Sequence, residues 1–128
     1  MEAAIKYILF GAAATGFMLF GMSYLFGNTQ TTYVAELVQR LPRLMHQPLA
    51  VAGLTMVLAG FFFKLAVVPF HFWTPDVYQG AANETTSFVA TLPKLAGLAL
   101  LLRLVSLGGP AGQDLVRILV LLAAVSMT

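Results

Sequence analysis

The chain has 128 residues, 59% of them hydrophobic and only 9% charged, with a formal net charge of +2. A soluble domain carries about a quarter charged residues, so this chain cannot clothe a water-facing surface, and seven basic residues scattered among apolar runs leave no nucleic-acid footprint. Cysteine is absent, which excludes a disulfide framework and thiolate ligation of zinc or iron–sulfur clusters.

The pattern predicts an all-α, polytopic transmembrane bundle. The first apolar segment runs from about 3 to 26, long enough to cross a ~30 Å hydrocarbon core at ~1.5 Å per residue. Glu2 stands where a secretory leader would be basic and no small-residue cleavage site follows, so the segment is expected to stay in the working protein. Gly11, Gly16 and Gly21 recur along it and predict close packing against neighbouring helices. Glu2 and Lys6 are spaced for an i, i+4 pair.

A polar stretch follows. From about 32 to 44, Val34, Leu37, Val38, Leu41 and Leu44 fall near one face, and Glu36, Arg40 and Arg43 mostly on the other. This predicts a short helix lying along the membrane surface, interrupted by Pro42. The second apolar segment spans about 48–70, with Pro48 suited to the first helical turn, and the third spans about 85–105. Gly108, Gly109 and Pro110 mark a turn, and a fourth segment begins near Gln113 but stops at Met127–Thr128, short of a full crossing, which reads as a truncation. Counting Arg40, Arg43 and Arg103 puts the first loop on the cytoplasmic side.

The chemistry lies in ionisable residues within the apolar runs. Lys64 sits between Phe61–Phe62–Phe63 and Leu65–Ala66–Val67–Val68, where a mid-helix lysine costs roughly 2.5–3.5 kcal/mol to insert. The bland reading is that it snorkels to the near interface. Pro69 weighs against that reading: its ring clashes with the Leu65 carbonyl and its missing N–H frees that acceptor, so the helix should bend or open beside the lysine. Lys94 follows Pro93 near the middle of the third segment, where snorkelling is harder. Burial and mutual repulsion would favour the neutral amine, and lysine, unlike arginine, can release its proton. Both lysines are therefore candidate proton carriers. His71 is either a relay between buried lysine and water or an interfacial residue beside an aromatic belt anchored by Trp73 and Tyr78. Asp76 and Glu84 are expected in a loop, as caps or solvated charges. No histidine or carboxylate cluster suggests a metal, and no glycine-rich loop suggests a nucleotide.

The run from Phe63 and Lys64 through Pro69, His71, Trp73, Pro75, Asp76, Tyr78 and Gly80 resembles the signature of the antiporter-like membrane subunits of respiratory complex I, which are themselves similar to cation/proton antiporter subunits. The ending Pro75–Asp76–Val77–Tyr78 before Gly80–Ala81 looks like that of the N-type subunit of NADH:quinone oxidoreductase. The resemblance covers essentially the whole chain. It implies a fragment of a fourteen-helix fold made of two inverted repeats, with the four segments here as helices six, seven, eight and the start of nine. It implies that Lys64 and Lys94 transfer protons, that Lys64 works with a glutamate on a helix upstream of Met1, and that the partners are the lipid bilayer and other membrane subunits of complex I. It also implies no cofactor in this subunit: NADH, FMN, iron–sulfur clusters and quinone belong to the whole complex, in a bacterial inner membrane. A cation/proton antiporter of the Mrp type or a membrane-bound hydrogenase-type complex is the alternative. The resemblance would put the first loop on the outer side, against the arginine count. One stretch departs from the pattern: prolines usual after the glycine–alanine pair are replaced by Ala82, Asn83 and Glu84.

Overall fold

The computed structural model describes residues 2–127, the side chains of 109–112, 114, 115, 118 and 127 excepted; Met1 and Thr128, with which the sequence reading began and ended, lie outside the described residues. Six helices follow in chain order: α1 (Glu2–Thr29), α2 (Val34–Leu44), α3 (Pro48–Leu65), α4 (Thr74–Gly80), α5 (Asn83–Leu107) and α6 (Gly109–Met127). Among the described residues, α1, α3 and α5 are long and apolar enough to cross a membrane. The chain is an all-helical, multi-pass membrane segment with one helix broken after Lys64.

The α1–α3 seam is the tightest contact. A Cβ on Gly21 would run into the Gly53 carbonyl oxygen and lie 2.8 Å from the Val57 backbone nitrogen, and one on Gly60 would lie 2.6 Å from the Ala14 carbonyl oxygen. Backbone meets backbone there, as expected where lipid supplies no hydrophobic drive and association rests on van der Waals fit. Of the three glycines expected to pack, only Gly21 does so within this chain. Gly11 and Gly16 have nothing within 4 Å of a built Cβ, because α3 crosses α1 on the face that carries Ala14, Gly21 and Leu25.

A helix forms at α2, and Pro42 does not interrupt it. The proline costs one bond, to the Val38 carbonyl, and the pattern resumes with Met45 N–H donating to the Leu41 carbonyl at 3.0 Å. Its apolar stripe is exposed at Val34, half-buried at Leu37, Val38 and Leu41 and buried at Leu44, and Arg40 Nη1 donates to the Thr29 carbonyl at 2.9 Å, capping the end of α1.

The second apolar segment is helical only to Leu65. Ala66 adopts the left-handed conformation (φ 57°, ψ 41°), and the chain then folds through turns until α4. The Ala66 N–H donates to the Phe63 carbonyl and the Val67 N–H to the Phe62 carbonyl, each at 3.1 Å, the paired bonds of a Schellman closure. Trp73, 4% exposed, donates its indole N–H to the same Phe63 carbonyl at 3.2 Å and stacks on the Phe63 ring with centroids 5.5 Å apart. The broken backbone thus binds itself and one indole.

Where a loop was expected, Thr74–Gly80 forms a helix: Pro75 lies at its start, where a missing N–H costs nothing, and Asp76 in its first turn suits the positive helix end. Ala82 is extended (φ −63°, ψ 148°) and Asn83 opens α5, so the positions that lack the usual prolines form the α4–α5 junction. The turn before α6 is narrower than expected. Gly108 alone breaks the helix, because Pro110 is tolerated in a first helical turn.

Two outcomes are expected of the full-length protein in detergent. Gly21→Ala should cost about 1–3 kcal/mol by forcing backbones apart; an unchanged thermal midpoint would contradict the seam. Trp73→Phe should remove about 1 kcal/mol of hydrogen bonding plus some packing, lowering the midpoint and speeding amide exchange near Ala66. Unaltered exchange there would show that the indole does not hold the break.

Candidate functional site

Three helices and one turn segment bring the singled-out residues together. α1 supplies Tyr7, Gly11 and Thr15; the end of α3 supplies Phe63 and Lys64; the turn segment supplies Trp73, and α5 supplies Val89 and Pro93. These line an open cleft of about 400 Å³. Lys64 lies in the last turn of α3, at the negative end of the helix. The break is what puts it there: a straight helix through Pro69 would have left Lys64 in mid-helix.

The expectation of buried lysines is not met within this chain. Lys64 is exposed and Lys94 half-buried. Lys64 faces the cleft rather than a packed wall, since the opposing part of α1 carries Gly11, beside which there is open space. Among the described residues, no carboxylate lies within ion-pair distance of either lysine.

Lys94 is held by a different contact. Its Nζ donates to the Tyr78 hydroxyl at 3.0 Å, and lies 5.4 Å from the Tyr78 ring centre. The amine sits at the hydroxyl end of the ring, so the hydrogen bond rather than the ring face is the main contact. Tyr78 packs edge-on against Trp73 with centroids 6.3 Å apart, and Trp73 packs against Tyr7 at 5.7 Å and on Phe63. One aromatic cluster therefore runs from the residue before Lys64 to the partner of Lys94.

His71 and Pro69 lie exposed on the segment between α3 and α4, and the Val68–Pro69 peptide bond is cis. The bonds recorded at His71 are to its carbonyl, which accepts from the Thr74 N–H at 3.0 Å and from the Thr74 hydroxyl. The structure thus brings Trp73 and Tyr78 to the lysines and leaves the His71 side chain at the surface. Gly80 closes α4 against α1, with a built Cβ 2.6 Å from the Ala3 side chain.

Asp76 is not simply a solvated loop charge. Lys6 Nζ pairs with Asp76 Oδ2 at 2.7 Å and with Glu2 Oε1 at 2.8 Å. The Glu2–Lys6 pair follows from spacing, whereas the Lys6–Asp76 pair, 70 residues apart, does not. Sequence reasoning also missed Tyr78 as the partner of Lys94. The available signal was Thr74–Pro75–Asp76, a helix-start pattern which, had it been read as such, would have put Tyr78 on a short rigid element instead of in a loop.

The comparisons with known proteins agree over the whole chain. The transmembrane family described as NADH:quinone oxidoreductase/Mrp antiporter matches residues 1–128. The chain is similar to "NADH-quinone oxidoreductase subunit N 2" of Opitutus terrae, 56% identical over 99% of this chain and 26% of that protein. It is similar to the protein of the same description from Solidesulfovibrio magneticus, at 54% over 99% of this chain and 27% of the relative. The one from Syntrophobacter fumaroxidans is 47% identical over the full chain and 27% of its own length. The chain therefore spans about a quarter of the length of the curated relatives it matches. With its broken helix and lysine-bearing spans, the chain belongs to the NADH:quinone oxidoreductase/Mrp antiporter transmembrane family.

Proposed function

We propose that the chain is part of a proton-translocating membrane subunit of NADH:quinone oxidoreductase, in which Lys64 and Lys94 gain and lose protons in response to charge changes in neighbouring subunits. The observation that carries the reading is the pair of lysines on consecutive membrane helices, one at a helix break facing an open cleft and one bound to a hydroxyl. A lysine is costly at membrane depth unless it does something there, and its neutral form is accessible in a way that a guanidinium's is not. The naming of the relatives as subunits N supports the same reading.

In this proposal His71 relays protons between the cleft and water, with imidazole chemistry suited to neutral pH. Pro69, Trp73, Pro75, Asp76, Tyr78 and Gly80 shape the break and the short helix after it. The carboxylate that works with Lys64 lies on a part of the protein outside this chain. The partners are the other membrane subunits and the bilayer of a bacterial inner membrane. NADH, flavin, iron–sulfur clusters and quinone are assigned to the complex and not to this subunit; the chain has no cysteine with which to ligate a cluster.

In the assembled complex, Lys64→Ala in the full-length subunit should reduce proton pumping at least about tenfold, the scale of losing one general acid–base group, while the complex still assembles on a native gel. Wild-type pumping by that variant would refute the assignment. The family's inclusion of Mrp antiporters favours a second reading, exchange of a cation for protons with no redox partner. Sodium-driven proton movement in vesicles without any quinone reductase would support that reading, and its absence alongside quinone-linked pumping would reject it.

A further inference from the structure

Two lysines expected to change charge raise a positional problem. An ammonium has three donors and no acceptor, whereas a neutral amine keeps two donors and gains a lone pair, so a partner that only accepts leaves that lone pair unbonded and one that only donates has nothing to bind on the ammonium. Carboxylates and backbone carbonyls accept only. A phenol does both: its oxygen accepts from the ammonium, and its O–H donates to the neutral amine. The residue that meets Lys94 Nζ is such a phenol, Tyr78, at 3.0 Å and half-buried.

Tyr78 is also held by contacts other than the one to Lys94. It stands on α4, whose start is tied to α3 through the Trp73 indole on the Phe63 carbonyl, 3.2 Å, and to α1 through Asp76 on Lys6, 2.7 Å. Val77 is buried and Trp73 presses edge-on against the Tyr78 ring. These contacts are independent of Lys94, so the hydroxyl keeps its place when the lysine's charge changes.

We propose that Tyr78 is a positioning residue for Lys94, reversing the direction of one hydrogen bond as the lysine gains or loses its proton, and that the Lys6–Asp76 ion pair holds the helix that presents it. In the ammonium state Nζ–H donates to the Tyr78 oxygen. When the ammonium passes its proton on, the same phenol turns its O–H to the amine lone pair, so no bond is lost and no side chain has to move. The role rests on the proton-translocating reading of Lys94, and the test separates the two.

In the assembled complex with the full-length subunit, protons pumped per quinone reduced are measured for Tyr78→Phe, Lys94→Met, the double variant, Lys6→Met and Lys6→Arg, with assembly read on native gels. Tyr78→Phe should lower the ratio roughly three- to tenfold, the scale of one hydrogen bond, in normally assembled complex. It should have no further effect once Lys94 is methionine, because a residue acting through Lys94 is silent without it. Lys6→Met should lower the ratio in the same direction and Lys6→Arg restore it. If Lys94→Met pumps like wild type, the reading of Lys94 fails and the positioning role with it. If Lys94→Met is impaired but Tyr78→Phe pumps normally, fails to assemble, or adds its full effect to that of Lys94→Met, the positioning role alone is overturned. If Tyr78→Phe behaves as expected but Lys6→Met is silent, the ion pair is removed from the proposal.

Discussion

Backbone that leaves a helix inside a membrane has no water to bind, and the layout of this chain follows from how that problem is met between Leu65 and Thr74. The Phe62 and Phe63 carbonyls, which a continuing helix would have paired, are taken by Val67 and Ala66, and the Phe63 carbonyl takes the Trp73 indole as well. The last of these bonds reaches across seven residues of turn and needs Trp73 buried beside α3. Once it is there, α4 must start next to the end of α3, and α5 must leave from the end of α4. The positions of Tyr78 and Lys94 derive from the closure of one helix end.

The same closure decides the character of Lys64. Within a continuous helix its neighbours would be carbonyls already bonded along the axis. Ended at Leu65, the helix presents a partial negative charge to the lysine in its last turn, and the cleft gives the amine room. Lys94 has no such helix end, since α5 continues to Leu107, and it is provided for by a side chain from the preceding short helix. Two lysines of similar sequence setting, each near a proline, are thus accommodated by different devices.

Composition and period made the membrane class and the presence of α1, α2, α3 and α5 as helices legible, and Pro69 five residues after Lys64 signalled the break. Its site was not legible, because alanine is a poor choice for a left-handed residue at a cost of about 1–2 kcal/mol, and nothing local marks Ala66 as the one that adopts it. The aromatic run hid α4: Trp73 and Tyr78 read equally well as interfacial anchors, and the helix start at Thr74–Pro75–Asp76 was read as loop. Contacts between distant residues, Lys6 with Asp76 above all, have no periodicity to betray them. Gly11 and Gly16 show the converse, since small residues at regular spacing announce close packing without saying which of them meets a partner within this chain.

The seam between α1 and α3 has a bearing on movement. At Gly21, Gly53 and Gly60 the two helices approach to main-chain distance, with the Val57, Tyr24 and Met18 side chains filling in beside the glycines. The pair therefore behaves as a single rigid strut. α5 is joined to that strut by softer material, its Gly97 resting against the Leu65 side chain. Any change in separation between the two lysines is consequently borne by the Ala81–Ala82 junction before α5, with α1, α3 and the short helix tied to them as its frame.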